Sequence, residues 1–330
     1  MYESHCEKAM GSVTPNISGK KPTRDGFGEG LLELGRARKD VVVLSGDLGD
    51  STRAIWFQKE FPNRFFEMGI AEQDMLGTAA GFALSGKIPF ACSFGVFATG
   101  RAWEQIRTSI CNMALNVKIG GTHCGISVGA DGTTNEAMED ITLMRSQVHM
   151  TVIVPCDAIE AKKATIAAAT TPGPVYIRLG RNPAPIVTQE KDPFVVGKAN
   201  LIRNGKDVSL FACGLMVSEA QSAADLLASQ GIQARVVAMH TVKPVDREAI
   251  VSACRETGAI VTAEEHTIVG GFGSAIAEVV TEEVPVPLAR IGILDRIGES
   301  GEPDELFKVF HLTAQDIAEA ARRVIQKKKR

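Results

Sequence analysis

Apolar residues fall into two alternating patterns along this chain. Short, continuous apolar runs at 41–45, 64–68, 88–94, 117–121, 151–154 and 175–179 have the length and composition of strands. Between them, 26–38, 72–84, 100–113 and 158–170 repeat apolar positions at helical spacing. Strands that are apolar throughout, rather than at every second position, predict a parallel sheet covered on both faces by helices. Pro183, Pro185 and the polar stretch 188–193 interrupt the alternation. It then restarts with strands at 208–212, 234–240, 259–263 and 289–292, and with helices at 215–229, 246–257, 273–281 and 313–328. The expectation is α/β with two parallel-sheet domains, 22–187 and a smaller 195–330. A linker at 188–194 joins them, and a loose arm at 1–21 precedes them.

Composition narrows the class. The chain has 330 residues, 45% hydrophobic and 23% charged, which suits an ordinary globular protein with enough length for two cores. A net charge of −3 from interspersed residues gives no footprint for nucleic acid. The one basic run, 327–330, closes a helical pattern and reads as a solvated tail favoured by the helix dipole. No apolar run approaches the roughly 18 residues of a membrane span, and residues 1–20 lack the apolar core of a secretory signal. Seven scattered cysteines, without C-x-x-C or zinc-ribbon spacing, point to reduced thiols and a cytoplasmic location.

In doubly wound sheets, ligands bind beyond the carboxyl ends of the strands, so the strand-to-helix junctions are the places to look. The segment 45–51 offers glycines, Asp47, Asp50 and Ser51, alone no more than a loop and helix cap. Gly69-Ile70-Ala71-Glu72 follows the next strand, and Glu72 in a first helical turn is equally a cap or a catalyst. Phe94 and Phe97 sit at a third rim, where the core does not require aromatics. A Gly-rich stretch from His123 to Gly132 follows the fourth strand, and Arg178 and Arg181 end another. Together these form a candidate site for an anionic, partly aromatic ligand.

Other motifs carry less. Gly270-Gly271-Phe272-Gly273 precedes a helix but lacks the spacing of a dinucleotide or P-loop motif, so a tight turn is the simpler reading beside an anion site. Glu264-Glu265-His266 has no second histidine four residues on and reads as a surface loop rather than a metal site. No Gly-x-Ser-x-Gly elbow is present.

The segments 66–73 (FEMGIAEQ), 94–107 (FGVFATGRAWEQIR), 123–140 and 264–273, taken in order, resemble the transketolase family of thiamine diphosphate enzymes. The resemblance runs from about residue 22 to the end. It implies a pyrimidine-binding domain followed by the family's C-terminal domain. The family's diphosphate-binding domain, with its Gly-Asp-Gly metal motif, has no counterpart here. The chain thus resembles the C-terminal subunit of a split transketolase. By that resemblance a separate N-terminal subunit supplies the diphosphate contacts and holds Mg²⁺, with two copies of each chain in the complex.

The resemblance also implies roles. Glu72 hydrogen-bonds a pyrimidine ring nitrogen of the cofactor and favours the tautomer that activates the thiazolium carbon. Phe94 and Phe97 pack on the pyrimidine, and Ile70 lies beside it. Asp47 approaches the cofactor across the subunit boundary. His123 and Asp131 serve the reacting sugar. Arg24, Ser51, His123 and Arg181 bind the sugar phosphate, a task that suits the planar arginine fork. Two departures stand out: Asn135 replaces a usual histidine of the substrate loop, and Gly100 replaces a frequent third aromatic. The expected activity is transfer of a two-carbon ketol unit between phosphorylated sugars. The alternatives are a 1-deoxyxylulose-5-phosphate synthase-like or 2-oxo acid dehydrogenase β-like subunit, a transketolase for an unusual sugar, and a non-catalytic assembly partner.

Overall fold

The expected strand positions become two mainly parallel sheets. The computed structural model describes residues 11–12 and 19–328; the rest of the expected arm and the last two residues of the basic run lie outside the described residues. The strands in chain order are β1 (Gly11–Ser12), β2 (Lys20–Pro22), β3 (Val41–Ser45), β4 (Phe65–Glu67), β5 (Ile88–Phe94), β6 (Lys118–Thr122), β7 (Thr151–Ile153), β8 (Val175–Arg178) and β9 (Pro183–Pro185). They continue as β10 (Asn200–Arg203), β11 (Val208–Ala212), β12 (Ala234–Ala238), β13 (Thr241–Lys243), β14 (Ile260–Thr267) and β15 (Leu288–Ile293).

The first sheet has the order β13-β7-β8-β6-β5-β3-β4, parallel throughout except where β13 pairs antiparallel with β7. Every residue of β3, β5, β6, β7 and β8 is buried, which is why these strands read as unbroken apolar runs. The second sheet has the order β1-β10-β12-β11-β14-β15, with only the β10–β12 pair antiparallel. β13 thus belongs to the C-terminal half by sequence and to the N-terminal sheet by hydrogen bonding. One apolar core also runs across the boundary, joining Met75, Ile106 and Val152 to Phe211, Ile250 and Ile276.

Several expectations change in detail. The helix expected over 100–113 is instead two wide π turns, Phe97–Arg101 and Ile106–Cys111, around the short turn Trp103–Gln105. Gly100 and the β-branched Thr99, Ile106 and Thr108 are poor helix formers, which favours the break. Short helices at Ala54–Glu60, Asp140–Arg145 and Pro303–Val309 were not legible as periodic patterns. Residues 188–194 are tied to the first domain. Asp157, which caps the helix Ala158–Thr170, also accepts the backbone N–H groups of Val187 and Thr188 at 2.8 and 2.7 Å. Lys163 donates to the carbonyls of Gln189 and Asp192. Of the basic run, Lys328 donates to the Thr257 carbonyl at 2.6 Å instead of standing free in solvent.

Candidate functional site

The carboxyl ends of β3, β4, β5, β6 and β8 bring most of the expected residues to one edge of the first sheet. Glu72 opens the helix Glu72–Leu84 directly after the β4 loop and is 1% exposed. Its Oε1 lies 3.5 Å from the Ser93 hydroxyl, which donates to it. Its Oε2 is buried and accepts no hydrogen bond, with the Arg101 guanidinium 3.7 Å away. A buried carboxylate oxygen without a hydrogen-bond partner is costly, so it marks a place where a ligand donor belongs.

Aromatic rings stand beside it. Phe94 stacks on Phe97 at 5.6 Å between centroids and on the His123 imidazole at 3.7 Å. A Cβ at Gly100 would touch nothing within 4 Å, so the position of the missing third aromatic is open space. Ile70 is 74% exposed on the loop before Glu72, an apolar side chain presented outward. Asp47 is exposed on the β3 loop, with a left-handed φ of 59°. Its N–H donates to Glu67 Oε1 at 2.7 Å, and the N–H of Gly69 donates to the same oxygen at 3.0 Å. Glu67 therefore ties the β3 and β4 loops together. It lies within the FEMGIAEQ segment, yet the sequence assigned it no task.

The cationic part of the site is built around His123. This residue is buried in a left-handed conformation, its Nδ1 3.0 Å from the Thr122 hydroxyl. Burial, together with the positive charges of Arg24, Arg181 and Arg53, pushes its pKa down to about 3, so the ring is neutral at physiological pH. Arg24 is half-buried, donates to the Ser51 carbonyl at 2.9 Å and keeps its Nε buried without a partner. Burial first, then Arg53 and Arg181, lowers its pKa. Three guanidiniums crowded around a neutral histidine could hold an anion, whose charge would relieve their mutual repulsion. Arg53 was not among the residues expected from the sequence. Its left-handed backbone and its 2.7 Å ion pair with Asp25 are tertiary features with no local signature.

Arg181 also reaches the loop that ends in Asp131. It donates to the Val128 carbonyl at 3.0 Å and lies 3.6 Å from Asp131. Asp131 ends the short turn Ile126–Asp131, and Asn135 folds back so that its amide donates to the Asp131 carbonyl at 3.3 Å. All eleven residues expected at the site lie on these neighbouring loops and helix starts. Two clefts of about 450 and 300 Å³ lie elsewhere, lined respectively by residues such as Arg145, Lys243 and Glu278, and Met138, Asp295 and Ile297.

One minor motif requires correction, and it bears on another. Glu264-Glu265-His266 is not a surface loop; it lies in β14, and all three residues are buried. Glu264 accepts the N–H groups of Phe272 and Gly273 at 2.6 and 2.8 Å. The chain's own carboxylate therefore occupies the helix start that Gly270–Gly273 would offer to an anion. His266 Nε2 accepts the N–H of Ile141 at 3.1 Å. Nearby, Arg178 is buried and paired with Asp140 at 2.9 Å, so its role is internal.

Residues 19–185 match the family model for the transketolase pyrimidine binding domain, and residues 197–317 match that for the transketolase C-terminal domain. Over 305 residues the chain is 44% identical to the 6-deoxy-6-sulfo-D-fructose transketolase subunit SqwH of Clostridium sp. (strain MSTE9), covering 92% of this chain and 95% of that one. It is 40% identical to one of the subunits of the apulose-4-phosphate transketolase of Phocaeicola vulgatus, covering 92% and 97%. A solved structure described as a split gene transketolase, inactive beta4 tetramer, superimposes with a TM-score of 0.88 at 47% identity, covering 93% of this chain and 99% of that one.

Proposed function

This chain belongs to the transketolase family as a C-terminal-type subunit, a transferase, and on that footing we propose that it transfers a two-carbon ketol unit from a ketose phosphate to an aldose phosphate, with thiamine diphosphate held between it and a separate N-terminal subunit. The observation that carries the reading is Glu72: a carboxylate oxygen buried without a hydrogen-bond partner, beside stacked Phe94 and Phe97. A carboxyl group beside two aromatic rings fits the pyrimidine half of the cofactor, a flat aromatic ring with a basic nitrogen. When bound, thiamine diphosphate supplies the carbon nucleophile and electron sink that break a bond beside a ketose carbonyl.

The chain's own residues do the rest. Glu72 would share a proton with a ring nitrogen of the pyrimidine, and Phe94 and Phe97 would cover the ring and exclude water. Ile70 and Asp47, on the two loops joined by Glu67, would meet the cofactor at the boundary with the N-terminal subunit. Arg24, Ser51, His123 and Arg181, joined by Arg53, hold the sugar's anionic end. Asp131 receives the hydroxyls near the reacting carbons, and neutral His123 hydrogen-bonds there without adding charge. Mg²⁺ and the diphosphate belong to the N-terminal subunit, and two copies of each chain complete the enzyme. The relative described as an inactive beta4 tetramer supports a chain that self-associates but does not react alone. The six described cysteines are all free and buried, in keeping with a cytoplasmic location.

A second reading concerns the sugar. Relatives named for 6-deoxy-6-sulfo-D-fructose and apulose-4-phosphate, together with Asn135 folded into the loop where a chargeable ring is usual, favour a sugar other than the common pentose phosphates. The cofactor test is calorimetric titration of thiamine diphosphate with Mg²⁺ into the chain alone and into its mixture with the N-terminal subunit. The shared site requires tight binding only in the mixture. Binding to the chain alone, or in neither sample, would overturn it. In the mixture, Glu72→Gln lowers ketol transfer by about 10²–10⁴-fold while assembly persists; retained activity would refute the role of Glu72 and favour a non-catalytic partner. A panel of phosphorylated and sulfonated ketose donors then identifies the sugar.

A further inference from the structure

The loop that carries Asp131 is built to need outside support. Gly125, Gly129 and Gly132 all adopt positive φ, between 73° and 88°, so the segment is rich in residues that lose the most freedom on ordering. Its own hydrogen bonds lie mostly in the second half, where the Gly132 N–H donates to the Gly129 carbonyl at 3.1 Å, the N–H groups of Asn135 and Glu136 to the Gly132 carbonyl at 3.0 and 3.2 Å, and the Asn135 amide to the Asp131 carbonyl; the first half has only the long Val128 N–H to Gly125 carbonyl contact at 3.5 Å. External groups fix the first half. From the N-terminal domain, Asn182 donates to the Ser127 carbonyl and Arg181 to the Val128 carbonyl.

The other supports come from the C-terminal domain. The carboxylate of Glu265, buried at the end of β14, accepts the Ser127 N–H. It also fills the space in front of Gly125 so closely that a Cβ there would collide with it. Gly129 and Gly132 lie against Gly301 and Ser300, just ahead of the helix Pro303–Val309. Glu265 holds the start of the turn that ends in Asp131, the same turn whose Val128 carbonyl Arg181 binds from outside.

We propose that Glu265 is a positioning residue for ketol transfer: by accepting the Ser127 N–H it holds the 125–132 loop in the conformation that presents Asp131 and the Arg181-bound Val128 carbonyl to the sugar. This assigns the C-terminal domain a part in substrate recognition, and it rests on the reading above that Asp131 and Arg181 face the sugar. What acts is the accepting oxygen rather than the negative charge, because the partner is a neutral N–H. Gln at 265 keeps that oxygen, Ala removes it, and Asp withdraws it by one methylene.

The test uses the complete complex and measures KM for the ketose donor, kcat and thiamine diphosphate affinity. Glu265→Ala should raise KM at least tenfold with kcat within threefold and cofactor affinity within twofold. Glu265→Gln should stay within threefold of the unaltered protein throughout. Hydrogen exchange at amides 125–132 should quicken in Glu265→Ala and not in Glu265→Gln. Glu265→Asp, with an intermediate rise in KM, serves if the alanine variant does not fold. Unchanged KM in Glu265→Ala or Glu265→Asp, equal losses in the Ala and Gln variants, or a parallel loss of cofactor affinity would each overturn the proposal. Asp131→Ala separates the two levels: if it raises KM and Glu265→Ala does not, the positioning role fails alone, whereas if Asp131→Ala leaves KM unchanged, the sugar-site reading fails and takes this role with it.

Discussion

Replacing glycine by alanine at two helical positions should shift stability in opposite directions. Gly30 lies in the helix Thr23–Ala37, against the helix Ala158–Thr170. A Cβ at Gly30 would stand 2.7 Å from Thr165 Cβ, 2.9 Å from its Cγ2 and 3.1 Å from the Lys162 carbonyl. Ordinary carbon contacts begin near about 3.5 Å, so the helices would have to part by about 1 Å. Thr165 cannot turn aside, because it is fully buried, β-branched, and held by a 2.8 Å hydrogen bond from its hydroxyl to the Ala161 carbonyl. Overpacking of this kind costs about 1–3 kcal/mol, and the better helix propensity of alanine returns about 1 kcal/mol. The expected net loss is up to about 2 kcal/mol. Gly77 lies in the helix Glu72–Leu84, is exposed, and would meet nothing within 4 Å. There the propensity gain stands alone, and Gly77→Ala should stabilise the chain by about 0.5–1 kcal/mol. Urea unfolding of the isolated chain, followed by circular dichroism, measures both. The close helix pairing would be refuted if Gly30→Ala proved as stable as Gly77→Ala. Gly30→Ala should also weaken phosphate binding, because its helix carries Arg24 towards Ser51.

Three further outcomes follow from buried charge. Glu160 is buried beside Asp157, and burial raises its pKa to about 7, above an unfolded value near 4.5. Its contribution is therefore full below pH 4.5 and lost as pH rises through 7, so Glu160→Gln should gain on the unaltered chain between pH 5 and 8, by up to about 3 kcal/mol. Urea midpoints at a series of pH values measure this, and a pH-independent difference would contradict it. Asp140 pairs with Arg178, and both are buried. Asp140→Ala strands that guanidinium and should cost about 3–5 kcal/mol in the same unfolding assay; a loss under 1 kcal/mol would refute the pairing. Inorganic phosphate should raise the melting temperature by occupying the Arg24, Arg53 and Arg181 cluster. Arg24→Met should weaken that response about tenfold or more in phosphate concentration, since charge-assisted hydrogen bonds contribute about 1.5–3 kcal/mol. An unaltered response would move the anion site elsewhere.

What could be read from the sequence follows from what local pattern encodes. β3, β5 and β11 lie where the apolar runs placed them, because strands buried on both faces leave a compositional trace. The Glu72 helix also starts and ends at its expected residues, since a carboxylate opening an apolar helix after a short loop with a glycine is a local signal. Arg53 and Glu67 left no such trace: their roles depend on loops that meet only in the folded chain. Glu264-Glu265-His266 misled for a sharper physical reason. Three adjacent titratable residues read as solvated, because burying them is costly without partners. Here two of the partners come from far along the chain, the N–H groups of Ser127 and Ile141 across the domain boundary, and the other two from the following helix start, at Phe272 and Gly273. Where local rules fail, strain or function is the usual cause. The failure here falls at the seam between the domains, behind the loop that ends in Asp131. A strand that served only to complete its own sheet would need no buried carboxylate aimed at a glycine-rich loop of the other domain, and an apolar residue at 265 would pack there more cheaply. Retaining Glu265 makes sense if the position of that loop matters to what the enzyme binds.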